Sequence, residues 1–136
     1  MLNNASHLIT TSGMTATLEG LALRTPVSFL PPTNLSQWKQ MYLFSQKNLI
    51  NKIISWADLL KETIDVSRLT EGESIPVFRN YSKKVYKKPI LLELFKRRLI
   101  YLINQSPSVL KSNEFISKTK INGDQLIVRD LLKYLD

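Results

Sequence analysis

Apolar positions along this chain change their period, and the change divides it in two. His7-Leu8-Ile9-Thr10-Thr11 is a short run with β-formers, closed by Ser12-Gly13, so it predicts a buried strand ending in a turn. Leu18, Leu21 and Ala22 then recur at helical spacing, predicting a short helix over residues 15–23. Pro26 stops it, because the residue before a proline avoids the α region. Val27-Ser28-Phe29-Leu30 is a second apolar strand, ended by Pro31-Pro32, which cannot donate to a sheet ladder. Strand, helix and strand in this order form a βαβ unit with parallel strands. Asn34 is placed to cap the next helix, with Gln37 three positions on as in a capping box. Leu35, Trp38, Met41, Tyr42, Ser45 and Leu49 mark one face of it. Ile53-Ile54 is a candidate brief strand, and Ser55 caps a short helix running from Trp56 to about Thr63.

From there the alternation is lost. Residues 64–88 pass from an acidic stretch, Asp65 to Ser74, to a basic one, Arg79 to Lys88. They read as a loop or excursion with a short strand around Ile75 to Phe78. Pro89 suits the first turn of a helix whose apolar face is Leu91, Leu92, Leu94, Phe95, Leu99, Leu102 and Ile103. Two further helices are expected, from about Pro107 to Ser117 and from Gln125 to Tyr134, the latter entered through Asn122-Gly123-Asp124. The fold class is therefore α/β. Short parallel strands lie in residues 1–54, and residues 55–136 are mostly helical, all within one domain.

Composition narrows the chemistry. The chain has no cysteine and one histidine, which removes disulfides, thiolate nucleophiles and imidazole-built zinc sites. No stretch reaches the roughly 18 uncharged apolar residues of a membrane span. The N-terminus lacks the basic and apolar regions of a signal peptide, so a cytoplasmic protein is expected, if need be peripheral to a membrane. The net charge is +8, and the excess is local. Residues 1–38 hold only Glu19 and Arg24 besides His7, whereas Arg79, Lys83, Lys84, Lys87, Lys88, Lys96, Arg97 and Arg98 face a single acid, Glu93. Such a face is either plain solvated surface or a site for an anionic membrane, an acidic partner or, less favoured here, nucleic acid.

The segment Ala5 to Gln37 carries the candidate chemistry. A glycine turn between a strand's carboxyl end and a helix start is where α/β sheets bind ligands. The amides of Met14, Thr15 and Ala16 should be open there, and the helix dipole favours an anion such as phosphate. Gly13 is expected to allow close approach and a positive φ. The hydroxyls of Ser12, Thr15 and Thr17 are candidate donors. Glu19 lies one helical turn past Thr15, where a carboxylate can accept from a ribose diol. Gln37, expected at the top of the second strand, can exchange hydrogen bonds with sugar hydroxyls, or else serve Asn34 as a capping partner. His7 is assigned no chemistry, and Trp38 and Trp56 read as core anchors.

This ordered set resembles the donor-binding segment of GT-B-fold glycosyltransferases. It is most similar to the group of the peptidoglycan N-acetylglucosaminyl transferase, and more loosely to the UDP-glycosyltransferases. Ser12-Gly13 fills the family's turn, Glu19 falls six residues past the glycine, Pro26 and Pro31 stand where its prolines stand, and Gln37 matches its glutamine. The resemblance implies a partial Rossmann-like, GT-B C-terminal domain. In it the 13–15 backbone binds the diphosphate of a UDP-type sugar, Glu19 the ribose and Gln37 the transferred sugar, with no metal or cofactor. Arg24-Thr25 replaces the glycine before Pro26, and Ser36 replaces the acid before the glutamine. The likeness is specific over residues 5–40. It implies catalysis only with an acceptor-binding half, from another chain or an oligomer. The rival readings are a non-catalytic module acting through the basic face and a GT-B-like nucleotide-sugar epimerase.

Overall fold

A computed structural model of the chain describes residues 5–50 and 52–104. Eight elements follow one another: β1 (Leu8–Thr10), α1 (Met14–Ala22), β2 (Val27–Phe29), α2 (Leu35–Gln46), β3 (Lys52–Ile53), α3 (Trp56–Leu60), α4 (Glu71–Lys87) and α5 (Pro89–Asn104). The strands form a parallel sheet in the order β1-β2-β3, with Leu8 opposite Val27 and Phe29 opposite Ile53. The α/β class, the parallel pairing and the mostly helical character of residues 55–104 therefore agree with the sequence. The two helices expected at 107–117 and 125–134 lie outside the described residues.

The strands are too short to hold a sheet by themselves, so packing on both faces fixes them. Alternation along each strand sends side chains to two cores. Val27 and Phe29 meet Leu21 of α1 and Met41 and Phe44 of α2 on one face, where the Phe29 and Phe44 rings meet edge to face. Ile9, Leu30 and Ile54 belong to a second core with Trp56, Leu59, Phe78, Val85 and Leu102 of α3, α4 and α5. Helices thus cover both faces of the sheet. Among the described residues no helix is long and apolar enough to cross a membrane.

Helix α4 corrects the sequence reading. Residues 71–87 form one helix, not a loop with a strand at Ile75 to Phe78. Its start is a full capping box: the Thr70 hydroxyl accepts from the Glu73 amide, and the Glu73 carboxylate accepts from the Thr70 amide at 2.8 Å. That carboxylate is held below its ordinary range by its bonds from Thr70. Acids in the first turn and Lys84 and Lys87 in the last suit the helix dipole. Pro76, the sixth residue of the helix, lies past its first turn and forfeits the ladder bond to the Gly72 carbonyl. Helix α3 is shorter than expected, because Lys61 turns into the left-handed region at φ 58°.

Helices α1 and α2 end alike. The Thr25 amide reaches the Gly20 carbonyl at 2.8 Å and the Arg24 amide that of Leu21 at 3.0 Å; the Leu49 and Asn48 amides repeat this on Phe44 and Ser45. These are Schellman turns. The left-handed position is taken by Arg24 and Asn48 in place of the usual glycine. The glycine that packing demands is Gly20. A Cβ there would lie 2.8 Å from Leu8 Cδ2 and 2.9 Å from Val27 Cγ2. Val27 is 1% exposed and cannot retreat, so Gly20 sets how closely α1 lies on the sheet. Gly20→Val should lower stability by about 1–3 kcal/mol through overpacking. Urea denaturation measures this, and an unchanged midpoint would show that α1 can shift freely.

Candidate functional site

Helix α1 starts three residues beyond β1, after a tight turn in which the Gly13 amide donates to the Thr11 carbonyl at 2.6 Å. Gly13 is its N-cap, and no side chain caps it. The Thr17 amide closes the first turn on the Gly13 carbonyl at 3.1 Å. Among the described residues nothing bonds the amides of Met14, Thr15 and Ala16, as expected. Gly13 itself differs from expectation. Its φ is −74° and ψ 136°, an extended conformation open to any residue, and a Cβ would meet only the Thr11 oxygen at 3.9 Å. Sharp φ is unnecessary because the turn closes at Ser12.

The expected side-chain donors divide. Ser12 is fully buried and its hydroxyl donates to the Gln37 carbonyl at 2.5 Å. Thr17 is fully buried too, and its hydroxyl donates to the Gly13 carbonyl at 2.7 Å. Both hold the turn together and present no hydroxyl to a ligand. Met14 packs against the α1–α2 core through its side chain and contributes its amide alone. Thr15 and Glu19 are exposed on α1 and have no partner among the described residues. Gln37 lies in the first turn of α2, not at the top of β2. Its amide N–H is capped by Asn34 Oδ1 at 2.9 Å, and its Oε1 accepts from the Thr33 amide at 2.9 Å and hydroxyl at 3.0 Å. Only its side-chain NH2 remains to donate.

Helix α2 shows what an occupied helix start looks like. The Leu35 amide donates to Ser74 Oγ at 2.9 Å, the Ser36 amide to the Glu71 carboxylate at 3.0 Å, and the Gln37 amide to Asn34. The Ser36 hydroxyl also donates to Glu71. A carboxylate from α4 thus sits where an anion would. Ser74, with no exposure, donates its own hydroxyl hydrogen bond to the Glu71 carbonyl at 2.7 Å.

This capping lays α4 beside the carboxyl ends of all three strands, and a cavity of about 560 Å3 opens there. Thr11 follows β1, Leu30 and Pro31 follow β2, and Trp56 follows β3. Helices α4 and α5 close it with Phe78, Val85, Leu92 and Phe95. The exposed Ile75, Arg79, Ser82 and Tyr86 of α4 form its rim. Trp56 is locked by its indole N–H, which donates to the Pro32 carbonyl at 2.6 Å. The sequence names Arg79 within its basic stretch and Trp56 as a core residue. Neither can be tied to a cavity without the helix that α4 forms.

The basic face is not one surface. Lys84 pairs with Glu62 at 3.3 Å and lies over the Tyr81 ring, and Arg97 pairs with Glu93 at 3.2 Å, one turn apart on α5. Arg98 is half-buried, and its buried Nε has no partner among the described residues. Lys83, Lys87 and Lys88 are exposed at the α4–α5 corner, with no acid on them among the described residues. No group of three or more His, Cys, Asp or Glu within the described residues could hold a metal.

His7 Nε2 lies 2.9 Å from the buried Ser28 hydroxyl, and burial pushes its pKa below 6.5. The unfolded chain therefore takes up this proton first. His7 contributes stability that is present above about pH 6.5 and declines below it, until the folded imidazole titrates. Thermal melts across that range should show the decline and should lose it in His7→Gln. Ser74→Ala leaves the Leu35 amide buried without an acceptor and should cost about 1–3 kcal/mol. A denaturant midpoint equal to wild type would mean that another acceptor replaces Ser74.

No protein-family model matches this chain, and no curated protein or solved structure matches it either, so what the chain does must be inferred from the residues of α1, α2 and α4 themselves.

Proposed function

We propose that the chain binds the diphosphate of a UDP-type nucleotide sugar at the start of α1, as the donor half of a GT-B-fold glycosyltransferase. One observation carries this reading. Helix α1 follows the carboxyl end of a parallel strand with three open amides and no side-chain cap, whereas α2, α3 and α4 are all capped by side chains. An uncapped helix start in that place suits a phosphate.

In this reading the amides of Met14, Thr15 and Ala16 hold the diphosphate and the Thr15 hydroxyl adds a donor. The Glu19 carboxylate, one turn on, accepts from the two ribose hydroxyls. Gln37 gives a single bond to the transferred sugar through its NH2, since its oxygen is taken by Thr33. The donor is held by backbone dipoles and needs no metal. Transfer needs an acceptor-binding half, and β1, at the edge of the described sheet, is where further strands could add. That half would come from another chain or a second copy.

Calorimetric titration with UDP and UDP-sugars tests the reading. UDP should bind and uridine should not, because the phosphates carry the contact. Glu19→Gln should weaken UDP roughly tenfold by removing a charged acceptor. Absence of heat at millimolar nucleotide would sink the proposal for this chain, and an unchanged affinity in the variant would remove the ribose role of Glu19.

A further inference from the structure

The cavity at the strand ends has an uneven lining. Its floor is apolar: Phe78 is 1% exposed, Val85 5% and Trp56 9%, with Leu92 and Phe95 beside them. Its volume of about 560 Å3 is that of a ligand site, commonly about 300–1,000 Å3. Hydrogen-bonding capacity is sparse. Thr33 already donates its hydroxyl to Gln37, and the Trp56 N–H is bound to Pro32. The remaining hydroxyls, of Thr11, Ser82 and Tyr86, are outweighed by the apolar side chains of Leu30, Pro31, Phe78, Val85, Leu92 and Phe95. They can take a hydrocarbon chain.

The rim adds the other half of the chemistry. Arg79 is the one charged residue of the lining, and no acid pairs with it among the described residues. Lys83 and Lys87 follow it by one and two turns on the same side of α4, exposed and without acids on them among the described residues. Ile75 and Tyr86, on the same rim, leave 41% and 76% of their surface in water. Apolar surface held open beside an unpaired guanidinium asks for a ligand that covers the first and neutralises the second.

We propose that this cavity binds a single-chain amphiphile, its hydrocarbon chain on Trp56, Phe78 and Phe95 and its anionic, phosphate-type head on Arg79. The site is separate from the donor reading. UDP titration reports the amides of α1, and the fluorescence of Trp56 reports the cavity, so either can fail alone.

The test uses the full chain with Trp38→Phe, so that Trp56 is the sole indole. It is titrated with decyl phosphate, decanol and decyltrimethylammonium below their micelle concentrations. Decyl phosphate should shift Trp56 emission saturably and bind at least tenfold tighter than decanol, with the cation weakest. Octyl phosphate should bind roughly tenfold more weakly than decyl phosphate, for two fewer buried methylenes. Arg79→Gln should erase the preference for phosphate over alcohol and keep the chain-length dependence. Ser82 is exposed, so Ser82→Phe can obstruct the rim without entering the core; it should weaken binding more than tenfold with an unchanged thermal midpoint.

A second arm asks where the amphiphile comes from. Sedimentation with vesicles of phosphatidylcholine and phosphatidic acid that decyl phosphate competes away would place the source in a bilayer. Binding of decyl phosphate with no sedimentation would place it in solution. Both support the cavity. Vesicle binding that leaves Trp56 emission unmoved and is insensitive to decyl phosphate would overturn it in favour of plain charge attraction by the lysines. Equal affinity for the three head groups, or no saturable change, would also overturn it.

Discussion

The start of α2 is the point on which the rest of the structure depends. A helix presents orphan amides at its N-terminus, and if they are buried they must be bonded. Here two of the three bonds come from α4, some 35 to 39 residues on in sequence: Ser74 takes Leu35, and Glu71 takes Ser36. A neutral hydroxyl alone would satisfy an amide. A carboxylate also answers the positive end of the helix dipole. These contacts fix α4 in register as well as in place, because residues 71 and 74 lie on one face a turn apart. Phe78 and Val85 then fall on the second core, and Arg79, Ser82 and Tyr86 fall outward at the strand ends. The cavity is a consequence of that register.

How far the fold can be read from sequence follows from the range of the interactions. The first fifty residues are governed by local signals: Pro26, Pro31 and Pro32 bound the strands, and Asn34 and Ser55 cap the helices that follow. Each acts within four residues, so each can be read directly. Helix α4 carries a local signal as readable as those, Thr70 with Glu73 three positions on, but Pro76 and the switch from acidic to basic residues weigh against a helix. The ladder bond forfeited at Pro76 is outweighed by the capping box and by the burial of Phe78 and Val85 in the second core, and the change of charge sign along α4 follows the dipole and does not mark a boundary. Glycines mislead in a similar way. Gly13 lies in the turn that looks functional, yet its backbone is ordinary; Gly20, inside a helix, is the one whose missing Cβ the packing needs.

The candidate site was legible in its position and less so in its atoms. Sequence places a strand end, a turn and a helix start at residues 10–14, and the structure agrees. It cannot show that Ser12 and Thr17 turn inward, because their acceptors, the carbonyls of Gln37 and Gly13, depend on how the turn closes. Gln37 is a related case. Its type suits a sugar contact and a cap equally, and the Thr33 amide and hydroxyl decide that its oxygen has a structural duty.

Helices α1 and α2 follow neighbouring parallel strands and start at the same edge of the sheet, so both present the positive ends of their dipoles there. They differ in what the rest of the chain brings to them. Helix α2 receives Glu71, and a bound anion there would have to displace a carboxylate held by an amide and a hydroxyl at 3.0 Å each. Among the described residues nothing comparable reaches Met14, Thr15 or Ala16. The contact that closes one helix start leaves the other with no counterpart among the described residues. It places beside that start, through Thr11, a cavity whose single charge is the guanidinium of Arg79. Glu71 at the start of α2, the amides at the start of α1 and the guanidinium of Arg79, with no acid on it among the described residues, thus lie along one edge of the sheet.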